Sequence, residues 1–279
     1  MADETSNALP LDQSHILFTS FNTFLTIAIH NILFYRRLYP QQTFLSTRAY
    51  NLPVHQNRHP KVCTWITDAV ASVASQLSTG QVSRITVVIH FPLDPLSLSP
   101  SPSPSSSIPP GSVLERYTFD TSHFPSWSSI PTHARILQKD SRSEVVRDIL
   151  LDNLSLNTAD LNEQFRGCLL KMAHAMEGLG PIPEGCTFTL AVELKDDAAA
   201  PIGHPQDFIP SEPSDPPPPP DRKGKGRYIA PISRAETAAT VKTTPVRVVE
   251  AGPLWFECWV EESRAKIALM ETTASQRSA

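Results

Sequence analysis

Twenty consecutive residues, from Ile16 to Tyr35, contain no Asp, Glu, Lys or Arg, and this run constrains the fold more than any other. Leu17, Phe18, Phe21, Phe24, Leu25, Ala28, Ile29, Ile32 and Leu33 recur at helical spacing with a wide apolar face. A helix is expected over residues 16–37, stopped by Tyr39-Pro40, because proline disfavours helical geometry in the residue before it. Length and low charge also fit a membrane span flanked by Arg36 and Arg37. Against a span, Thr19, Thr23, Thr26 and His30 recur at steps of four, three and four, with Asn22 and Asn31 nearby. Lipid offers such groups no partner, whereas a domain interior can bond them to neighbouring backbone. The expectation is a core helix and no membrane contact.

Further helices and strands follow from pattern. His59-Pro60 opens a second helix, with proline in the first turn and Val62, Ile66, Ala69, Val70, Val73 and Leu77 facing inward, ending at Thr79-Gly80. Residues 84–91 read as a central strand. Residues 113–119 read as its returning partner, with Val113, Glu115 and Tyr117 on one face and Leu114, Arg116 and Thr118 on the other. A capping box, Ser141 with Glu144, suggests a helix to about Asp152. From Thr158, Leu161, Phe165, Leu169, Met172 and Met176 mark a third core helix ending at Leu179-Gly180. Residues 43–54, 187–193, 228–232, 246–250 and 254–260 are extended pieces.

Of 27 prolines, seven lie in 92–110 and nine in 201–220, in stretches poor in periodic apolar residues and read as loops. The expected organisation is one domain over 14–266, with a low-complexity insertion at 92–112 and a disordered tail at 267–279. A net charge of −4 gives no drive toward nucleic acid, so DNA would be reached only through a protein partner. Cys63, Cys168, Cys186 and Cys258 have no metal-ligand spacing and read as buried free thiols. The acidic N-terminus reads as no leader, which implies cytosol or nucleus. The basic loop 222–227 reads as solvated, or as a weak nuclear signal. No catalytic motif, cofactor fingerprint or metal cluster occurs in the sequence, so a binding protein is expected.

The strings FLTIAIHNILFYRRLYP (24–40), YNLPV (50–54), His59-Pro60, P-x-G-C-T-F-T (183–189) and WVEE (259–262) resemble a HORMA domain. Within that superfamily they are similar to the accessory subunits of translesion DNA polymerase zeta. LERYTFD (114–120) is equally similar to the spindle-checkpoint branch, and the tryptophan that often follows Asp-Phe-Pro in polymerase-associated members is missing at 207–210. The resemblance implies an α+β HORMA fold, a β-sheet backed by three core helices with a C-terminal safety belt. That belt would span residues 196–266 and include the proline-rich 201–220 loop. It implies a non-catalytic nuclear adaptor, also cytoplasmic, that traps a peptide of the polymerase zeta catalytic subunit and bridges to the C-terminal domain of the scaffold deoxycytidyl transferase. The alternative it carries is a checkpoint protein trapping a checkpoint or anaphase-promoting-complex activator peptide. By the same resemblance Trp65 would contact the peptide, Glu257 and Trp259 the scaffold polymerase, and Arg166 a second HORMA domain.

Overall fold

A computed structural model describes the backbone of residues 11–93, 108–124, 157–196, 198 and 240–277, and the side chains of 15–93, 108–124, 157–196, 198 and 242–271. The expected helix at 141–152, the extended piece at 228–232, the basic loop 222–227, most of both proline-rich segments and positions 207–210 lie outside the described residues.

The uncharged run forms α1, Leu11–Tyr35. It is long and apolar enough to cross a membrane, yet Leu17, Phe21, Phe24, Leu25, Ala28, Ile29, Ile32 and Leu33 are buried inside the domain. Four of its polar side chains find backbone partners as the sequence predicts, whereas the Asn22 Oδ1 is buried with no hydrogen-bond partner among the described residues. Thr23 and Thr26 donate to the carbonyls of Thr19 and Asn22 one turn back. His30 Nδ1 accepts from the Asn57 amide (3.3 Å) and Asn31 Oδ1 from the His55 amide (2.9 Å). The helix stops earlier than Pro40 requires. Arg37 is left-handed at φ 54°, and the Leu38 amide returns to the Leu33 carbonyl.

Strands β1 (Phe44–Ala49) and β2 (Leu52–Asn57) form a hairpin where residues 43–54 read only as extended in sequence, and it continues three residues further. Its two-residue turn puts Tyr50 and Asn51 at φ 49° and 56°, the primed-turn geometry that matches strand twist. Helix α2 (Pro60–Ser78) starts at the proline, and Gly80 takes φ 72° beyond its end. The five-stranded antiparallel sheet follows, from β3 (Val82–His90), β4 (Val113–Asp120), β5 (Thr187–Leu194), β6 (Thr240–Ala251) and β7 (Leu254–Ser263), in the order β5-β3-β4-β7-β6. Helix α3 (Thr158–Gly178) is capped by Asn157, whose side chain accepts from the Ala159 and Asp160 amides.

The three helices lie on one face of the sheet around an aromatic core. Phe24 of α1 stacks on Phe165 of α3 at 4.7 Å and meets Phe119 of β4 edge-on at 6.0 Å. Phe256 of β7 closes the cluster against Phe21 at 5.4 Å. Each such ring contributes about 1.5–3 kcal/mol by burial, so α1 ties the C-terminal hairpin to the rest of the domain.

One boundary is corrected. The tail expected to be disordered from residue 267 instead continues as helix α4, Arg264–Arg277. Its anchor is Lys266, whose ammonium is buried among carboxylates. A lysine followed by a weakly apolar tail gives no sign of this in sequence.

Candidate functional site: a bare strand edge opposite a docked hairpin

Strand β5 is the outer strand of the sheet on one side, and no strand pairs with its far edge among the described residues. Its sequence TFTLAVEL alternates, so Phe188, Leu190, Val192 and Leu194 face the helices while Thr187, Thr189, Ala191 and Glu193 face away. Gly185, at φ 76°, makes the turn that leads into it. At the start of the strand Trp65, from α2, meets Phe188 edge-to-face at 4.9 Å, and Tyr39 meets the same ring at 6.5 Å. Trp65 keeps 43% of its surface exposed. It therefore belongs partly to the packing and partly to open surface beside an unpaired row of backbone groups. Phe188 and Tyr39 were not singled out beforehand, although Phe188 sits within the P-x-G-C-T-F-T string.

The other residues singled out in the sequence lie elsewhere. Glu257 and Trp259 are brought together on β7, two residues apart, on the sheet face that carries no helix. Trp259 lies between Thr118 and Pro245, its Nε1 donating to Glu261 (2.8 Å), with the Arg84 guanidinium 5.8 Å from its ring. Glu257 is exposed between Asp120 and Val248. Burial tends to raise the Asp120 pKa, but bonds from Ser122 and Arg84 hold it below the ordinary value. Arg166 lies on the outer face of α3, and two hydrogen bonds (2.8 and 2.7 Å) tie its guanidinium to Glu163. The structure thus places Trp65, the Glu257–Trp259 pair and Arg166 on three separate surfaces.

Hairpin β6–β7 docks on β4, and a buried ionic network lies at that junction. Glu115 of β4 receives Arg36 Nε (2.8 Å) and Nη2 (2.6 Å), the Tyr117 hydroxyl (2.7 Å) and Lys266 Nζ (2.6 Å). Lys266 also pairs with Glu262 of β7, which Lys242 of β6 reaches at 3.1 Å. Burial works to raise the Glu262 pKa, yet the bonds from Lys266 and Lys242 hold it below the usual carboxylate value. Arg36 further donates to the carbonyls of Met176 and Gly180. It thereby satisfies the end of α3, where the expected glycine stop would otherwise act. Burial, then Glu115, pushes the Tyr117 hydroxyl well above its ordinary range.

Three of the four cysteines, Cys168, Cys186 and Cys258, are buried free thiols as expected, while Cys63 is half-buried and donates to the Asn57 carbonyl. Burial pushes Cys186 up to about 12. Cys258 of β7 lies against Cys168 of α3, and that contact together with burial raises it well above its usual range. Among the described residues no group of three or more His, Cys, Asp or Glu side chains is placed to hold a metal.

An antiparallel sheet backed by helices on one face, with β5 outermost at one edge and β6 of a C-terminal hairpin outermost at the other, defines an α+β domain. A HORMA domain family model matches residues 19–225, and the chain belongs to that family. It is 30% identical over 250 residues to the DNA polymerase zeta processivity subunit of Schizosaccharomyces pombe, covering 87% of this chain and 91% of that protein. It is 33% identical over 179 residues to a Homo sapiens protein named mitotic spindle assembly checkpoint protein MAD2B, covering 63% of this chain and 64% of that protein. A chain in the crystal structure of a mitotic checkpoint complex shares the fold with a TM-score of 0.52 at 16% identity, covering 90% of this chain and 98% of that one. The resemblance to polymerase zeta accessory subunits therefore extends over most of the sequence.

Proposed function

We propose that this chain is a non-catalytic adaptor subunit of translesion DNA polymerase zeta, acting in the nucleus and also present in the cytoplasm. In this reading the bare edge of β5 takes up an extended peptide of the catalytic subunit as an added strand. Main-chain bonds supply affinity, and Trp65 with Phe188 supplies an apolar anchor. The C-terminal region, including hairpin β6–β7, is the belt that closes over the peptide. Glu257 and Trp259 form a second face, for the C-terminal domain of the scaffold deoxycytidyl transferase, and Arg166 contributes to a HORMA–HORMA dimer. Neither cofactor, metal, nucleic acid nor membrane is required.

The observation that carries this reading is the partly exposed Trp65 ring against Phe188 at the start of a strand edge that is unpaired among the described residues, combined with similarity to a polymerase zeta processivity subunit over 87% of the chain. A spindle-checkpoint adaptor trapping a checkpoint or anaphase-promoting-complex activator peptide is the second reading. The name carried by the human relative favours it. Affinity purification of the tagged chain from nuclear extract, read by mass spectrometry, separates them. Recovery of the polymerase zeta catalytic subunit is expected, and recovery of checkpoint components without it would select the second reading.

A further inference from the structure

The register that docks the C-terminal hairpin creates an electrostatic problem. Glu115 of β4 and Glu262 of β7 are direct cross-strand partners, both buried, on the same face. Like charges opposite one another destabilise a strand pair. The single ammonium of Lys266, in the first turn of α4, sits between them and bonds to both. The remaining cations divide cleanly. Arg36 belongs to the domain body and holds Glu115 through two bonds. Lys242 and Lys266 both lie C-terminal to the body, on β6 and α4, and hold Glu262.

We propose that Lys266 is a keystone latch, and that the network is built as two separately compensated halves. Arg36–Glu115 stays on the body, while Glu262 with Lys242 and Lys266 travels with the hairpin and α4. Docking depends on the ammonium bridging the two carboxylates. Release breaks the Lys266–Glu115 bond but strands neither carboxylate, since each keeps a cation on its own side. A buried charge left alone would oppose release strongly, and this partition removes that obstacle. Residues 240–277 then open as one unit below the free energy of global unfolding, the sub-global behaviour expected of a moving element. This rests on the reading of the hairpin as the closing element, and it assigns that element's control to a residue just beyond the strands.

The test uses the whole chain without any peptide, so its outcome is independent of which partner β5 receives. Cys258 lies on β7 of the hairpin, buried against Cys168 of the body, so its alkylation rate, read by site-resolved mass spectrometry, reports opening. Amide exchange of β3 in the same samples reports global unfolding. Lys266→Met is expected to speed Cys258 alkylation at least tenfold with β3 exchange unchanged. Adding Glu262→Gln to Lys266→Met removes the carboxylate opposition and is expected to restore most of the protection, which a merely packing role for Lys266 would not allow. An unchanged alkylation rate in Lys266→Met overturns the proposal. So does an equal rise in β3 exchange, or a failure of Glu262→Gln to rescue.

Discussion

The two outer strands of the sheet are built on opposite principles. Strand β6 is long, twelve residues, and guarded in several ways. It carries Pro245, register irregularities at 240–242 and 245–247, a lysine at 242, and Arg247 folded onto α3 to bond Gln164 at 2.7 Å. These are the devices by which proteins keep a strand edge from pairing with other chains. Strand β5 has eight residues, no proline and a single charge, Glu193, and the one irregularity in its pairing lies in the β3 segment around Ser83. An unguarded edge is an aggregation hazard unless something is meant to occupy it. Beside it, Trp65 is left in the open. In the proposed reading the guarded side answers to stability and the open side to binding, and the first two predictions below attack one side each.

The largest effect is expected on the anchored side. Arg36→Met leaves Glu115 buried with one cation fewer and removes the guanidinium bonds to the Met176 carbonyl of α3 and the Gly180 carbonyl just beyond it. Breaking a buried pair by removing one partner costs about 3–5 kcal/mol, to be read as a lowered midpoint in urea denaturation. A loss below about 1 kcal/mol would mean that the network contributes no more than a surface pair.

On the open side, Trp65→Ala should leave the thermal midpoint within a few degrees, a shift of about 1 kcal/mol. The same substitution should weaken capture of the catalytic subunit's peptide by roughly thirtyfold, about 2 kcal/mol. Calorimetric titration and a thermal melt on one sample decide between anchor and core. A large fall in the midpoint with normal affinity would give the ring to the core and end its assignment to the edge.

A smaller effect, confined to neither edge, concerns the β1–β2 hairpin. Burial lowers the pKa of His30, whose neutral Nδ1 accepts from the Asn57 amide. Burial also lowers His55 of β2. Groups with depressed folded values contribute stability above their unfolded value, about 6.5 for histidine. That contribution is lost as pH falls through the folded values. Stability should therefore decline below about pH 6.5, and exchange of the β2 amides should rise before that of β3. His30→Gln should flatten part of this slope.

The smallest effect separates space from propensity. A Cβ at Gly167 would lie 2.7 Å from the Arg247 guanidinium, displacing a flexible side chain. Glycine inside a helix costs about 0.5–1 kcal/mol relative to alanine, so the helical gain offsets the lost Arg247 contact. Gly167→Ala should change stability by under about 0.5 kcal/mol, while increasing exchange at β6.

Much of this fold was legible because its helices bury strictly periodic faces. Leu161, Phe165, Leu169, Met172 and Met176 all reach the core as their spacing implies, and β4 alternates as read from Glu115 to Thr118, while a register shift opposite His90 takes Val113 off the Glu115 face and Leu114 is buried. What stayed hidden depends on geometry that local pattern does not carry. Tyr50-Asn51 is a weak turn signal without glycine, so the β1–β2 hairpin was seen only as extended chain. The first residues of β6, Thr240 to Thr244, have no apolar rhythm and are ordered by pairing with β7. Arg36, Glu115 and Lys266 meet only after three distant segments have packed, so a buried charge cluster reads in sequence as three unremarkable surface residues. The candidate site was half legible. Trp65 stood out at the margin of its helix, but its ring partner Phe188 and the bareness of the β5 edge are properties of the assembled sheet.

The central claim is that the β5 edge, and not β6, receives an extended chain. Amide hydrogen exchange on the intact chain, with and without a peptide of the polymerase zeta catalytic subunit, tests it most directly. The account predicts new protection along residues 187–194, with no strand-edge protection gained on the outer side of β6. Protection appearing on β6 or on the outer face of α3, with residues 187–194 unchanged, would contradict it.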